Sequence, residues 1–148
     1  MRQISEVSDF VLKLRVRMRF GELSRAPLKL LRLELRSEVA ECEWMARPPD
    51  PWDADLPTGI GKRHASLQAL EDSLAVRRML FFALPAISTA RFRVYREVEG
   101  MGAELIITGT VSRDEQVASN VRSLAMRAKL CGFRFWLDDG VLGSIPPE

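Results

Sequence analysis

A chain of 148 residues with 47% hydrophobic and 28% charged side chains has the size and composition of one globular domain, which sets aside intrinsic disorder, collagen-like repeats and coiled coils. Its two cysteines, Cys42 and Cys131, lack CxxC spacing, which argues against a zinc ribbon or a thioredoxin-type site; both read as reduced core thiols. The net charge of +2 is unevenly spread: residues 1–36 carry nine basic and four acidic side chains, residues 37–75 three and eight. That split suits intramolecular pairing or head-to-tail self-association at least as well as nucleic-acid binding.

The N-terminal ten residues, MRQISEVSDF, contain no basic segment followed by a continuous apolar run, so no secretory signal is read and a cytoplasmic location is expected. The longest strongly apolar stretch, Met79 to Leu84, falls far short of the roughly 20 residues that cross a bilayer, and no membrane partner is expected.

Phe10, Leu12, Leu14, Val16, Met18 and Phe20 recur at every second position, with Lys13, Arg15, Arg17 and Arg19 between them. Period two predicts a long half-buried strand over residues 10–20. Leu31, Leu33 and Leu35 alternate with Arg32, Glu34 and Arg36, and after Ser37 and Glu38 the alternation resumes to Met45, which predicts a hairpin. Residues 47–62, RPPDPWDADLPTGIGK, hold four prolines and two glycines and predict a long ordered loop.

A helix is expected over residues 65–84, with Leu67, Leu70, Leu74 and Phe81 along one stripe and Pro85 as its stop. Its second half, Met79 to Phe82 and Leu84, is apolar around most of its circumference, which predicts burial on several sides or in an oligomer contact. Residues 89–98 and 103–111 read as a second hairpin about a turn at 99–102. Ser112 or Asp114 then caps a helix over residues 115–131, with Val117, Val121, Leu124 and Ala128 on its stripe and Gly132 as the C′ residue. A strand at 133–137 and a turn at 138–140 close the chain.

The sum is one α+β domain over residues 1–148: a two-layer, mainly antiparallel sheet in the order βββαββαβ, with two helices packed on one face.

Three functional readings arise. Trp52, Met79 and Phe82 are the aromatic and Met side chains that supply interface cores, pointing to a non-enzymatic interaction or assembly module that self-associates or binds another protein. Lys13, Arg15, Arg17 and Arg19, extended by Arg91 and Arg93, would set cations about 6.6 to 7 Å apart along a strand, near the phosphate spacing of nucleic acid. Stacking aromatics are scarce beside them, with only Tyr95 nearby. Asp50, Asp53 and Asp55 around Trp52, with the single histidine His64, form a third reading as a small metal-dependent hydrolase. Asp53 and Asp55 are its candidate ligands, although the run lacks the further oxygen ligands of an EF-hand. No Walker loop, GxGxxG, HExxH or nucleophile elbow occurs, so no cofactor and no catalytic residue is assigned.

Overall fold

In the computed structural model the described residues are 2–18, 26–49, 51, 56–57, 59–100, 102–114 and 123–146. They form, in chain order, α1 (Arg2–Arg17), β1 (Lys29–Arg36), β2 (Val39–Met45), α2 (Ile60–Ala83), β3 (Thr89–Val98), β4 (Gly102–Ser112), α3 (Leu124–Leu130), β5 (Phe133–Arg134), β6 (Leu137–Asp138) and β7 (Val141–Leu142). The class is α+β, as the alternation predicts. The element order and the number of helices differ, and one strand pairing is parallel.

The first element is a correction. The stretch expected as a strand from Phe10 is helical to Arg17, followed by a turn at Met18. Phe10, Leu14 and Met18 are four residues apart, so they stack on one side of a helix and are buried there. Val7 and Val11 pack beside them. Leu12 and Val16, which a strand would have placed on the same side, lie about half a turn away and are exposed. Every second position is also every fourth, so the pattern fits both periods. The helix wins because it lets Val7 and Val11 join the core.

β1 and β2 form the expected hairpin, joined by the two-residue turn Ser37–Glu38, with Arg36 opposite Val39 and a bulge between Leu30 and Arg32. β2 then pairs with β3 in parallel, Ala40 to Ala90, Cys42 to Phe92 and Trp44 to Val94. The five-stranded sheet, order β1-β2-β3-β4-β5, is therefore mixed, with one parallel pairing among three antiparallel ones. The cause is α2: a helix inserted between two adjacent strands carries the chain back to its starting end, which makes the second strand parallel to the first. β3 and β4 are antiparallel about the turn at Glu99 and Gly100, as expected. β5 is only two residues long, Phe135 and Trp136 lie between strands, and Leu137 begins a separate hairpin, β6 with β7. Asp139 and Gly140 turn it with φ of 51° and 79°, the left-handed pair that an Asp-Gly turn supplies.

Ala40, Cys42, Trp44, Ala90, Phe92, Val94, Ile107 and Val111 are all at or near zero exposure and belong to one core with the buried faces of the three helices. The Trp44 ring meets Phe92 edge-on at 5.7 Å, and Phe92 meets Phe133 at 5.5 Å. The opposite face carries Arg32, Glu34, Glu41, Glu43, Arg91, Arg93 and Thr110, partly or wholly exposed. Gly109 of β4 admits no side chain, because a Cβ there would lie 2.7 Å from the carbonyl oxygen of Gly132.

α2 begins five residues earlier than expected, at Ile60, with Gly59 as its N-cap at φ 94°. α3 covers only Leu124–Leu130, and the Ser123 hydroxyl accepts from the Met126 amide. The expected start of that helix, with Val117 and Val121, lies outside the described residues. Gly132 occupies C′ with φ 104°, as predicted.

Two arginines fasten α2. Arg47, just beyond β2, is buried and donates through Nε to Asp72 Oδ2 at 2.8 Å and through Nη1 to the Ala26 carbonyl at 2.7 Å. Gln68 donates to the other Asp72 oxygen at 2.9 Å. Burial holds the Asp72 carboxyl above its ordinary value, outweighing the opposite pull of Arg47 and Gln68. At the far end, α2 has no basic residue in its last turn. Arg113 reaches across from the end of β4 and donates to the carbonyls of Phe81 at 2.7 Å, Leu84 at 2.6 Å and Ile87 at 2.8 Å. One guanidinium thus satisfies acceptors that a helix end leaves open, and it lies 4.9 Å over the Phe81 ring.

Arg113→Ala is expected to lower unfolding stability by about 2 to 3 kcal/mol, since charged hydrogen bonds to part-buried carbonyls are lost together. Arg113→Lys, with one point donor in place of a fork, should recover only part of that. Urea unfolding of the three proteins checks it, and equal midpoints would show that water serves these carbonyls as well.

Candidate functional site

α1 lies against α2, and the seam between them opens into a groove of about 470 Å³. Its floor is Met18, just beyond α1, with Ala75 and Met79 from α2, and its rim is Lys13, Arg17, Arg78 and Phe82. Helical geometry explains the grouping. Lys13 and Arg17 are one turn apart on the side of α1 that turns toward α2, and Arg78 and Phe82 are one turn apart on α2. Phe82 is 79% exposed, the highest value among the large apolar side chains described, and its ring lies 5.1 Å from the Lys13 ammonium. Lys13, Arg17 and Arg78 have no acidic partner among the described residues.

The residues singled out from sequence therefore divide. Met79 and Phe82 meet at this groove, Met79 buried at 9% exposure beneath and Phe82 above. Trp52 lies outside the described residues, as do Arg19, Asp50, Asp53 and Asp55. Lys13, Arg15 and Arg17 are not a strand ladder: on the helix Arg15 points about 160° to 200° away from Lys13 and Arg17, over Leu28 and Leu30 of the β1 side. Arg91 and Arg93 are on the open sheet face, where Arg91 lies 3.6 Å from Glu41. The five described members of the proposed nucleic-acid ladder, Lys13, Arg15, Arg17, Arg91 and Arg93, are thus not one track. His64 is half-buried in the second turn of α2. Arg78 was not foreseen, although its place one turn before Phe82 was a readable signal.

The open face is a lattice of opposite charges. Arg32 donates to Glu43 at 2.9 Å, lies 3.2 Å from Glu41 and also pairs with Glu34. Arg36 donates to Glu34 at 2.7 Å. Hydrogen bonds from Arg36 and Arg32 hold the Glu34 carboxyl below its usual range. Tyr95 donates to Glu43 at 3.2 Å.

A second concavity of about 430 Å³ lies at the carboxyl ends of β2 and β3, beside the first turns of α2. Three of its six charged lining residues are held within the fold: Arg96 pairs with Glu104 and donates to the Leu142 carbonyl at 2.7 Å, and Arg47 is held by Asp72. Among the described residues no three His, Cys, Asp or Glu side chains converge at metal-binding distances, and no helix is long and apolar enough to cross a membrane.

The fold and these surfaces define a class no narrower than an α+β domain built on a mixed five-stranded sheet. No protein-family model matches the chain, and neither a curated protein nor a solved structure matches it.

Both thiols are buried, and burial, with a smaller push from the Glu43 charge, drives Cys42 up to about 12. Thiolate is the reactive form, so a disulfide reagent at neutral pH is expected to label neither cysteine in the folded protein and both once denaturant is added. Rapid labelling of the native protein would contradict the burial of Cys42 on the core face of β2, between β1 and β3.

Proposed function

We propose that this chain is a non-enzymatic protein-interaction module that receives an acidic, apolar-sided segment of a partner protein in the groove between α1 and α2. The observation that carries the reading is Phe82, a phenyl ring 79% exposed at a groove whose rim cations, Lys13, Arg17 and Arg78, have no acidic partner among the described residues. A helix laid in such a groove would bury apolar side chains on Phe82, Met79 and Ala75 and set carboxylates against Lys13, Arg17 and Arg78. Aromatic anchors of this kind dominate interface energy, while rim charges chiefly set partner choice and encounter rate.

Phosphates would also be drawn to these cations. Against that reading, the groove has one aromatic ring, and Arg91 and Arg93 belong to a different surface with acidic neighbours. The second concavity has the size of a ligand site, but its two arginines, Arg47 and Arg96, are already paired with Asp72 and Glu104.

A fluorescent amphipathic peptide with Leu on one side and Glu on the other is expected to bind, more weakly as salt rises, and about tenfold more weakly to Phe82→Glu. A matched Lys peptide should not bind. Failure of the acidic peptide, or indifference to Phe82→Glu, would sink the reading. A labelled single strand of DNA that binds more tightly than the peptide and is lost on Lys13→Glu would favour nucleic acid instead.

A further inference from the structure

We propose that two copies of this chain pair antiparallel along β1, about a two-fold axis at Leu33, so that their sheets continue into one. The inference is independent of the groove reading, because it rests on the sheet edge.

β1 is the terminal strand of the sheet, and among the described residues no strand pairs with its outer side. It is eight residues long, whereas β5 at the other edge has two. An unpaired strand of that length presents a row of unused backbone donors and acceptors, ready to template another strand. The hairpin fixes which ones. With a two-residue turn, Arg36 and Val39 form the closing hydrogen-bonded pair, and the antiparallel ladder then turns the amides and carbonyls of Leu33 and Leu35 outward.

The side chains select the occupant. Beyond the bulge the strand reads Arg32, Leu33, Glu34, Leu35, Arg36, with the charged residues on the open face and the leucines toward the core. A second copy with Leu33 on the axis sets Arg32 against the partner's Glu34 and Glu34 against the partner's Arg32. On the other face Leu33 meets its own copy, and Leu35 reaches the partner's bulge. Directly opposite residues of unlike charge are the favourable cross-strand arrangement. Moving the axis to Glu34 would set Glu34 against itself and Arg32 against Arg36, and moving it to Leu35 shortens the ladder. The strand is therefore complementary to itself in the register that also uses the most backbone.

Leu33 and Leu35 are only half-buried and Leu31 is 45% exposed, unlike the fully buried Ala40, Cys42 and Trp44 of the neighbouring strand. A paired copy would cover them. Arg32 and Glu34 already have partners within the chain, so exchanging one exposed partner for another is close to neutral. Affinity comes from the ladder and the leucines, and the charges fix register.

Light scattering after size exclusion should give twice the chain mass, and amide exchange should show protection of Leu33 and Leu35 that rises with protein concentration. Glu34→Arg and Arg32→Glu are each expected to weaken self-association by about tenfold, because each sets like charges across the axis. Mixing the two variants should restore a dimer of one of each. Leu33→Pro, which removes an outward amide and spares the ladder to β2, should give a folded monomer. A monomer at every concentration overturns the proposal. So does a dimer in which the Leu33 and Leu35 amides exchange freely, or one that survives in both charge variants alone. A dimer abolished by Phe82→Glu and untouched by the β1 variants overturns it too, and places the second copy in the groove.

Discussion

Phe10, Leu14 and Met18 lie one turn apart down a single side of α1, and burying that stripe against α2 and the core is the contact on which the exposed surface depends. Each such side chain contributes about 1.5 to 3 kcal/mol by leaving water. The seam brings Met18 beside Ala75 and Met79 of α2. It also fixes the rotation of α1, and rotation alone decides that Lys13 and Arg17 stand beside Phe82 while Arg15 faces the β1 side. A turn of the helix in either direction would expose the stripe and scatter the cations.

Beneath that seam, α2 sets the topology. Because it links adjacent strands of the sheet, β2 and β3 must run in the same sense, and it must be held over them. Arg47 with Asp72 ties its middle to the chain leaving β2, and Arg113 closes its last turn from the end of β4. Both arginines come from outside the helix. The buried pair carries a desolvation cost that its attraction offsets only with good geometry, and Gln68 and the Ala26 carbonyl supply the remaining hydrogen bonds. With helices on one side, the sheet's other side is left as a charge lattice, and its long edge strand keeps the same alternation.

Much of this was readable from residue order. The alternation of Leu31 to Met45 and of Thr89 to Val111 marked four strands, Pro85 marked the end of α2, and Gly132 marked the end of α3, each through a local rule that packing did not override. The first element was not, because Phe10, Leu14 and Met18 satisfy a period of two and a spacing of four at once. What separates the two is Val7 and Val11, idle in a strand and useful in a helix. The parallel pairing was missed for a different reason: strand sense is a property of the crossover, not of either strand. At the groove, Met79 and Phe82 stood out as apolar residues in excess of one helical stripe. Their basic neighbours were visible only as a charge run until the helix brought them round.

The position of α1 is what the groove and its electrostatics stand or fall on, and it has a direct spectroscopic signature. In the NMR spectrum of the full chain, helical Cα shifts for residues 10–17 together with an upfield-shifted Lys13 ε-methylene and a cross-peak to the Phe82 ring are expected from a 5.1 Å separation. Extended shifts through that stretch, with Lys13 at an ordinary position and no contact to Phe82, would contradict the docking of α1 and remove the groove with it.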